Sequence, residues 1–576
     1  MTEIDFEPIE GEYGEEVALR FDYDETLTER IKRLKEDRHW GVTHLTAEWS
    51  DDDEFLYWSI DRTEESLERF QEVVGYPVPD GVWPGSGERG GDDVEIVVPE
   101  GQTRAYVHGA GDELDNALDL ALSYDNPDAE HSAMAPERIR LYDASRRRAS
   151  MGLAGRMAET AEALGHDAEI RIEGDRSGRD IDTDWLFPHD LRDYQEDAVD
   201  AVLDSGGGIV GLPTGAGKTV TALRAIDLIG QDAIIFVHTK ELLHQWADEI
   251  RGALGVEPGV IGDGAWSTGP VTVCTMQTLM SRGIHELGDP GVIVFDECHR
   301  TSAADTMHEI GMSLDADYRI GLSATPWRRI SGAEMKIEGA VGGTAYEIGA
   351  EELIERGYLA EPEFEVLTHG GPMPERGEEY HEAYARCIEG SDERNAAIAR
   401  EAGRLADEGR RVLVNVDRVD QGAGLAGRIG DGAAFLSGSD PTSRREEVLG
   451  DFESGGGVSV LVSTLIKEGV DIPAMDAVIL AHAGRSDIST LQVIGRALRP
   501  DDGADGAVIC DVRDRGKFFG AAFEERQETM AEYYGRFGPG GDADGEAGEK
   551  AEPSGSLAEP LSDEEEAEME DWLAGE

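Results

Sequence analysis

A glycine-rich loop that follows an apolar run places the tightest constraint on how this chain can fold. The loop reads GLPTGAGKT over residues 211–219, and the apolar run GGIVGL leads into it. An apolar strand, a glycine-rich loop and a Gly-Lys-Thr end before a helix-compatible stretch are typical of a phosphate-binding loop. The first glycine of the usual pattern is displaced, because Leu212 stands in its place and Gly211 comes one residue earlier. We therefore expect a nucleotide-binding domain built on a parallel sheet.

Each residue type in this loop has an expected role toward ATP and Mg²⁺. Gly215 and Gly217 let backbone N–H groups approach phosphate oxygens. Lys218 reaches the β- and γ-phosphates, and the Thr219 hydroxyl is a ligand of Mg²⁺. The loop residues predicted to bind ATP are Pro213, Thr214, Gly215, Ala216, Gly217, Lys218 and Thr219.

A second run, VIVFDECH at 292–299, ends an apolar strand in two carboxylates about 80 residues after the loop. The carboxyl ends of parallel strands share one sheet edge, so these carboxylates should lie next to the phosphate-binding loop. We expect Asp296 to hold Mg²⁺ through water. Glu297 is the candidate general base that orients and polarises the attacking water.

Two series of apolar strands alternating with helices predict an α/β fold with two tandem RecA-like parallel-sheet domains. The first series runs from GGIVGL to RIGLS, and the second from RVLVNV to AVIC. We also predict an α+β N-terminal accessory region and a disordered acidic C-terminal tail. The predicted units are an accessory region at 1–110, an Arg-rich DNA-binding region at 111–185, RecA-like domain 1 at 186–360, RecA-like domain 2 at 361–537 and the tail at 538–576.

The charge balance indicates a high-salt cytoplasm. The chain has 52 Lys and Arg against 122 Asp and Glu, a formal net charge of −70, and only eight of the basic residues are Lys. Carboxylates favour solubility more than ammonium groups do, and self-repulsion is weak where the Debye length is about 3 Å, as in 1 M salt. An acidic segment that binds a histone-like partner is the disfavoured alternative, because the acidity is spread over the chain.

An Arg-rich segment at 137–175 differs from this acidic background. It includes the cluster Arg146, Arg147 and Arg148. Such a basic patch can be a footprint for nucleic-acid phosphates. The equal alternative is an Arg-rich face paired with neighbouring carboxylates.

The remaining composition points to an intracellular enzyme without a redox or zinc module. The four cysteines, at 274, 298, 387 and 510, are far apart and lack metal-ligand spacing. No run approaches 18 apolar residues, and the acidic N-terminus has no signal-peptide pattern. We expect a cytoplasmic, nucleoid-associated protein with no membrane partner.

The order of motifs resembles that of the superfamily 2 DExH helicases over residues of about 190–515. On the ATP side, LRDYQ at 191–195 resembles the adenine-reading motif, and QVIGRALR at 492–499 resembles motif VI. The resemblance assigns adenine contacts to Arg192 and Gln195, sugar contacts to Gly469 and Asp471, the γ-phosphate region to Gln492, and the arginine fingers to Arg496 and Arg499.

On the nucleic-acid side, the resemblance covers motif Ia in VHTKELLHQW, the next backbone motif in CTMQTL and motif V in VSTLIKEGVDIP. SATP at 323–326 resembles motif III, which couples the two sites, and His299 is implied in that coupling network. The implied phosphate contacts are Thr239, Thr275, Gln277 and Ser463, to which we add the cluster Arg146, Arg147 and Arg148.

Within the superfamily, the XPB-like DNA-repair helicases and the phage UvsW-type helicases are the most similar. The LRxYQ start, the connector at 357–360 and a compact second domain support this, and the Arg-rich segment resembles the small N-terminal DNA-binding domain of UvsW-type proteins. One departure is the absence of the Arg-Glu-Asp motif of XPB, since Trp327, Arg328 and Arg329 occupy that stretch. Any duplex-opening role of that motif is in doubt here. We favour a core position for Trp327 over a stacking wedge.

The resemblance implies an ATP-dependent DNA helicase or translocase, 3′ to 5′, in DNA repair or fork processing. Its expected partners are duplex, forked or single-stranded DNA and other repair proteins, and we expect a monomer. The alternatives are an RNA helicase, because backbone contacts do not separate DNA from RNA, and a nucleotide-controlled clamp without strand separation.

Overall fold

The computed structural model describes most of the chain from residue 93 onward, together with four strands before it. The described residues are 5–11, 14–20, 46–49, 56–61, 93–99, 103–126, 136–173, 178–181, 187–324, 332–465, 472–473, 475–484, 487–498 and 506–540. The N-terminal strands form an antiparallel sheet in the order β1-β2-β4-β3. Their bounds are β1 Asp5–Gly11, β2 Gly14–Arg20, β3 Thr46–Trp49 and β4 Leu56–Asp61.

A second N-terminal unit spans residues 93–172 and has its own apolar core. Its mixed sheet has the order β10-β5-β6-β9, and two helices pack against it. The bounds are β5 Asp93–Val98, β6 Arg104–His108, α1 Asp112–Ala121, β7 Ser123–Asp125, β8 Arg138–Arg140, β9 Arg148–Ser150, α2 Ala154–Ala163 and β10 Asp167–Ile172. The predicted boundary between residues 110 and 111 falls inside this unit. It is corrected because β5 and β6 pair with strands 40 or more residues later, which no local pattern indicates.

RecA-like domain 1 is an eight-stranded sheet in the order β14-β13-β15-β12-β16-β17-β11-β18. All neighbours are parallel except β13 and β14. The strands are β11 Gly207–Gly211, β12 Ala233–Val237, β13 Gly259–Gly262, β14 Ala265–Ser267, β15 Val271–Thr275, β16 Val292–Phe295, β17 Tyr318–Ser323 and β18 Thr344–Glu347. The helices are α3 Asp193–Ser205, α4 Lys218–Ile229, α5 Lys240–Leu254, α6 Met276–Arg282, α7 Ala304–Ser313, α8 Ala333–Val341 and α9 Ala350–Glu355.

RecA-like domain 2 is a six-stranded, fully parallel sheet in the order β19-β24-β23-β20-β22-β21. The strands are β19 Pro362–Thr368, β20 Val412–Asn415, β21 Ala433–Leu436, β22 Val460–Ser463, β23 Ala477–Leu480 and β24 Ala507–Arg513. The helices are α10 Tyr380–Tyr384, α11 Asp392–Asp407, α12 Val419–Ile429, α13 Thr442–Ser454, α14 Asp487–Ala497 and α15 Lys517–Tyr534.

Continuous apolar runs explain the strands of both domains. Strands such as β12 and β20 are buried along their whole length, as expected where helices cover both faces of a parallel sheet. The predicted fold class, two parallel-sheet α/β domains, is confirmed. The four cysteines are free and buried, in keeping with core positions. The predicted acidic tail lies outside the described residues apart from 538–540.

The three units meet through specific side chains. The N-terminal unit contacts α7 and α8 of domain 1, where the Arg156 guanidinium pairs with Glu338 and Ser150 Oγ lies 2.7 Å from His308 Nε2. Domain 2 returns to domain 1 through α15, whose Tyr533 hydroxyl donates to the Ala324 carbonyl at 3.1 Å. No helix among the described residues is long and apolar enough to cross a membrane.

Candidate ATP site and nucleic-acid interface

The phosphate-binding loop joins β11 to α4 at the carboxyl edge of the domain 1 sheet. Gly215 and Gly217 have φ values of +88° and +86°, a region that glycine enters without steric cost. A Cβ on Gly217 would lie 2.4 Å from Gln195 Nε2, so close packing also requires glycine there. Lys218 begins α4, and the helix N-terminus adds a favourable site for phosphate.

The predicted adenine-reading residues are tied directly to this loop. The Gln195 side-chain amide and the Tyr194 hydroxyl both donate to the Ala216 carbonyl at 2.8 Å. Gln195 Oε1 accepts from the Arg192 backbone N–H at 2.9 Å, and the Arg192 guanidinium donates to the Tyr194 hydroxyl at 3.0 Å. Arg192 also lies over the Tyr358 ring. The first turn of α3 therefore holds the phosphate-binding loop.

Two carboxylates face Lys218, as their position after β16 predicts. Lys218 Nζ lies 3.6 Å from Glu297 Oε1, and both side chains are largely buried. Burial and the neighbouring charge of Glu297 raise the pKa of Asp296 to about 6. Although burial opposes ionisation, the charge of Lys218 holds the pKa of Glu297 below its usual value.

Glu297 has features of a residue held in place for chemistry. Its φ is +51°, which is uncommon for a residue other than glycine and stores conformational strain. Its Oε2 lies 3.2 Å from His299 Nδ1 but makes no hydrogen bond among the described residues. A buried carboxylate oxygen that lacks a donor is suited to accept a hydrogen bond from a water molecule.

Asp296 is held by a tryptophan that the motifs did not single out. Trp246 Nε1 donates to Asp296 Oδ2 at 2.8 Å, and the Glu297 backbone N–H donates to Oδ1 at 3.0 Å. Trp246 lies on α5, the same helix that Thr239 caps. The signal for this residue was present in HTKELLHQW, since Trp246 lies seven residues after Thr239, or two helical turns along α5.

The donor set fits Mg²⁺. A threonine hydroxyl and a carboxylate are hard oxygen ligands of the kind that Mg²⁺ prefers, and Mg²⁺ keeps several waters in such sites. Thr219 follows Lys218 at the start of α4. Both carboxylate oxygens of Asp296 are oriented by the hydrogen bonds that they accept from Trp246 and from the Glu297 backbone. Thr219 and, through water, Asp296 would hold the ion.

Helix α14, which carries the predicted arginine finger Arg496, packs on the phosphate-binding loop. A Cβ on Gly495 of α14 would lie only 2.5 Å from Thr214 Cβ, so the two backbones approach closely. Arg496 follows Gly495, and Gln492 lies one turn earlier on the same helix. The structure thus brings predicted residues of both domains to one cleft. Arg499, Gly469 and Asp471 lie outside the described residues.

The coupling network implied for His299 is in contact with motif III. His299 Nδ1 lies 3.2 Å from Ser323 Oγ, and Ser323 ends β17. Burial lowers the pKa of His299. His238, which precedes Thr239, is also buried, and burial followed by the charge of Arg300 lowers its pKa to about 4. Both imidazoles are therefore neutral at pH 7. Trp327, Arg328 and Arg329 lie outside the described residues.

The predicted nucleic-acid residues divide into two groups. Thr239 accepts from the Leu242 backbone N–H and caps α5, Thr275 Oγ1 donates to Thr278 Oγ1 at 2.7 Å, and Gln277 is exposed. These three follow β12 and β15 at one sheet edge. Ser463 is corrected, because its hydroxyl is fully buried and donates to the Leu436 carbonyl, away from any surface that a phosphate could reach.

The arginines of the Arg-rich segment pair with neighbouring carboxylates, which is the second of the two predicted alternatives. Arg147 Nε lies 2.9 Å from Asp115 Oδ1, and Arg146 and Arg148 lie 3.1 and 3.6 Å from Asp143. Arg138, Arg140 and Arg156 pair with Asp125, Asp119 and Glu338. Local carboxylates thus compensate these charges, and the DNA footprint predicted for Arg146, Arg147 and Arg148 stays a prediction.

Family models match both RecA-like domains. Residues 188–328 match the model described as type III restriction enzyme, res subunit, and residues 394–501 match the helicase conserved C-terminal domain. The chain thus contains one region similar to the res subunit of type III restriction enzymes and one similar to the conserved C-terminal domain of helicases. The first matched region contains the phosphate-binding loop and the second contains α14, so the two regions lie on opposite sides of the cleft.

Relatives that are similar to this chain carry XPB-type and UvsW-type names. A Rad25 protein of Haloarcula marismortui is 33% identical over 56% of this chain and 54% of its own length. The DNA 3′-5′ translocase XPB2 of Sulfurisphaera tokodaii is 29% identical over 54% of this chain and 79% of its own. The ATP-dependent DNA helicase uvsW of Enterobacteria phage T4 is 27% identical over 66% and 81%. The chain spans about half the length of the Rad25 relatives.

Proposed function

We propose that this chain is an ATP-dependent DNA helicase or translocase that moves 3′ to 5′ and acts in DNA repair or fork processing. One observation supports the proposal most directly: Gly495 of α14 lies in close contact with Thr214 of the phosphate-binding loop. This contact brings the loop that contains Lys218 and the helix that contains Arg496 into a single cleft. The names of the relatives, which are DNA helicases and a DNA translocase, support DNA as the substrate.

In this proposal, the chain's own residues divide the work of ATP hydrolysis. Glu297 orients the attacking water and Lys218 holds the β- and γ-phosphates. Mg²⁺, when held by Thr219 and Asp296, neutralises phosphate charge. Arg496 and Arg499 stabilise the charge of the transferring phosphoryl group from the other domain, an effect worth about 10³–10⁵ in rate. Because ATP is held by both domains, its hydrolysis would release one domain from the other and move bound DNA.

The proposal extends to the setting of the reaction. A net charge of −70 favours solubility in a high-salt cytoplasm, where we place the protein on the nucleoid as a monomer. The same salt weakens phosphate contacts by counterion release. Short-range hydrogen bonds, such as those available at Thr239 and the exposed Gln277, then matter more than a long-range positive field.

The decisive experiment measures ATP hydrolysis in molar KCl with no nucleic acid, single-stranded DNA, duplex DNA, forked DNA or RNA. We expect stimulation by DNA, strongest with duplex or forks, and a loss of about 10²–10³ in kcat for Lys218→Ala. Lys336→Ala is the matched control, since Lys336 lies outside the cleft and pairs with Asp305. Unchanged hydrolysis in Lys218→Ala would refute the ATP site.

Strand separation needs its own assay. Unwinding of duplexes with either a 3′ or a 5′ single-stranded tail tests both activity and direction, and we expect unwinding of the 3′-tailed substrate. Stimulation by RNA alone would replace the proposal with an RNA helicase. Nucleotide-dependent DNA binding without unwinding or translocation would replace it with a clamp.

A further inference from the structure

Two arginines of domain 2 are fully buried next to the segment that precedes α14. Arg394 comes from α11 and Arg526 from α15, and each is 0% exposed. Each pairs with an aspartate at the end of β24. Arg394 Nε and Nη2 donate to the two oxygens of Asp514 at 2.7 and 2.8 Å, and Arg526 Nη2 donates to Asp511 at 2.8 Å.

Both guanidiniums also hold the segment that enters α14. Arg394 Nη2 donates to the Ala481 carbonyl at 3.0 Å, and Arg526 Nη1 donates to the Gly484 carbonyl at 3.0 Å. We name residues 481–484 the entry loop. It follows β23 directly and leads to α14. The first and last residues of the entry loop are thus each fixed by a buried cation.

The position of the entry loop matters for the cleft because α14 has little freedom at its far end. Gly495 touches Thr214 with no room for a Cβ, and Arg496 follows it. A small rotation of α14 at its start would either drive Gly495 into the phosphate-binding loop or lift Arg496 from it. The two arginines therefore control the approach of domain 2 to the loop of domain 1.

Stability alone does not explain these two ion pairs. Removing charges from water costs several kcal/mol per ion, and an apolar pair of similar volume often leaves a protein as stable or more stable. Apolar residues at these positions could not donate hydrogen bonds to the Ala481 and Gly484 carbonyls. We propose that Arg394 and Arg526 are positioning residues that set α14 for phosphoryl transfer, an inference that rests on the proposed ATP hydrolysis.

The test replaces one pair by apolar residues. In the double variant Arg526→Met with Asp511→Leu, the charges disappear together, and the only other described side chain bonded to Asp511 is Gln527, which is partly exposed. We expect a folded protein with a modestly lower melting temperature, because the Gly484 carbonyl loses its donor. We expect kcat to fall at least about 10-fold, with KM for ATP changed less than about threefold.

The matched control is the pair Arg411 and Asp476 of the same domain. Arg411 lies just before β20 and Asp476 just before β23, at the opposite end of the sheet from the entry loop, and Arg411 Nε donates to Asp476 at 3.1 Å. Arg411→Met with Asp476→Leu should leave kcat unchanged. An equal loss of kcat in both double variants would show a general effect on domain 2 and overturn the inference.

A binding measurement separates positioning from folding. ADP with beryllium fluoride occupies the γ-phosphate position, whereas ADP alone does not. We expect the ratio of the two affinities to fall about 10-fold in the Arg526→Met, Asp511→Leu variant and to stay constant in the control. An unchanged ratio together with unchanged kcat would overturn the inference.

Two further outcomes are decisive. If the apolar variant does not fold, Arg526→Lys replaces it, because lysine keeps the charge near Asp511 but cannot also reach the Gly484 carbonyl in the same planar geometry. Full kcat in a folded Arg526→Lys variant would overturn the inference. Failure of the proposed function has a different signature: no ATP hydrolysis by the unchanged protein.

Discussion

At the scale of single residues, the ATP site depends on side chains that hold other side chains. Asp296 is buried and accepts from Trp246, and Glu297 is held in a strained conformation between Lys218 and His299. Removing a residue that hydrogen-bonds to a metal ligand typically lowers metal affinity or activity by about 10–100-fold. Trp246 is therefore as much a part of this site as the residues of the loop.

Trp246→Phe should lower kcat for ATP about 10-fold while retaining most of the buried ring. Loss of the indole N–H leaves Asp296 Oδ2 without its donor and lets the carboxylate turn away from Thr219. Kinetics at saturating Mg²⁺ and nucleic acid measure the effect. Trp266→Phe is the matched control, because Trp266 lies on the edge strand β14 beside Arg282. Equal kcat in Trp246→Phe and the unchanged protein would contradict the role of the N–H.

A second residue-scale prediction concerns pH. Burial, followed by the charges of Arg104 and Lys336, lowers the pKa of His308 from 6.5 to about 4. Between pH 4 and 6.5, His308 therefore binds a proton in the unfolded chain but not in the folded chain. Stability is complete above pH 6.5 and falls by about 1.4 kcal/mol per unit as the pH drops toward 4.

The melting temperature of His308→Gln, measured against the unchanged protein from pH 7 to 5, tests this sign. Glutamine has no proton to bind and can still bond the Ser150 hydroxyl. We expect the melting temperature of the unchanged protein to fall more steeply than that of the variant. Parallel curves would show that His308 titrates normally in the folded protein.

At the scale of elements, α14 meets the phosphate-binding loop through a glycine. Gly495 contacts Thr214 from the last turn of α14, and glycine within a helix costs about 1 kcal/mol relative to alanine. The cost is offset by close approach of the two domains. A side chain there would separate the two surfaces that are proposed to bind ATP together.

Gly495→Ala should lower kcat about 10- to 100-fold, because a Cβ cannot fit beside Thr214 and α14 must shift outward. Steady-state ATP hydrolysis measures the loss. Gly427→Ala in α12 is the matched control, since a Cβ there meets nothing within 4 Å and alanine favours the helix. Full activity in Gly495→Ala would mean that the contact is absent during turnover.

At the scale of the whole molecule, several contacts hold the N-terminal unit and domain 2 against domain 1. The N-terminal unit is attached at Arg156 and Glu338, and domain 2 at α14 and at Tyr533. The Arg156 contact falls on α8, which is close in sequence to motif III at 323–326.

Arg156→Ala should loosen the N-terminal unit from domain 1. Glu338 is 6% exposed, and removing the partner of a buried charge costs about 3–5 kcal/mol. Hydrogen exchange over α2 and α8 should become faster, while exchange in domain 2 should not change. Arg140→Ala, which removes an arginine that is 63% exposed, is the control. Unchanged exchange in α2 and α8 would show that the contact adds no stability.

The sequence by itself determined the two parallel sheets, the phosphate-binding loop and the carboxylates after β16. These features are encoded within about ten consecutive residues, in which strand, turn and reacting group follow one another. Arg192 and Gln195 also came from the sequence, through the order of motifs that the resemblance supplied.

Only the tertiary structure decided the contacts between residues that are distant in the chain. Trp246 and Asp296 are 50 residues apart, Arg156 and Glu338 are 182 apart, and Ser463 was assigned to a surface that it does not reach. The N-terminal boundary failed for the same reason, since β5 pairs with β10 across two helices. A local pattern sets the direction of a side chain along its own element, whereas its partner depends on how the elements pack.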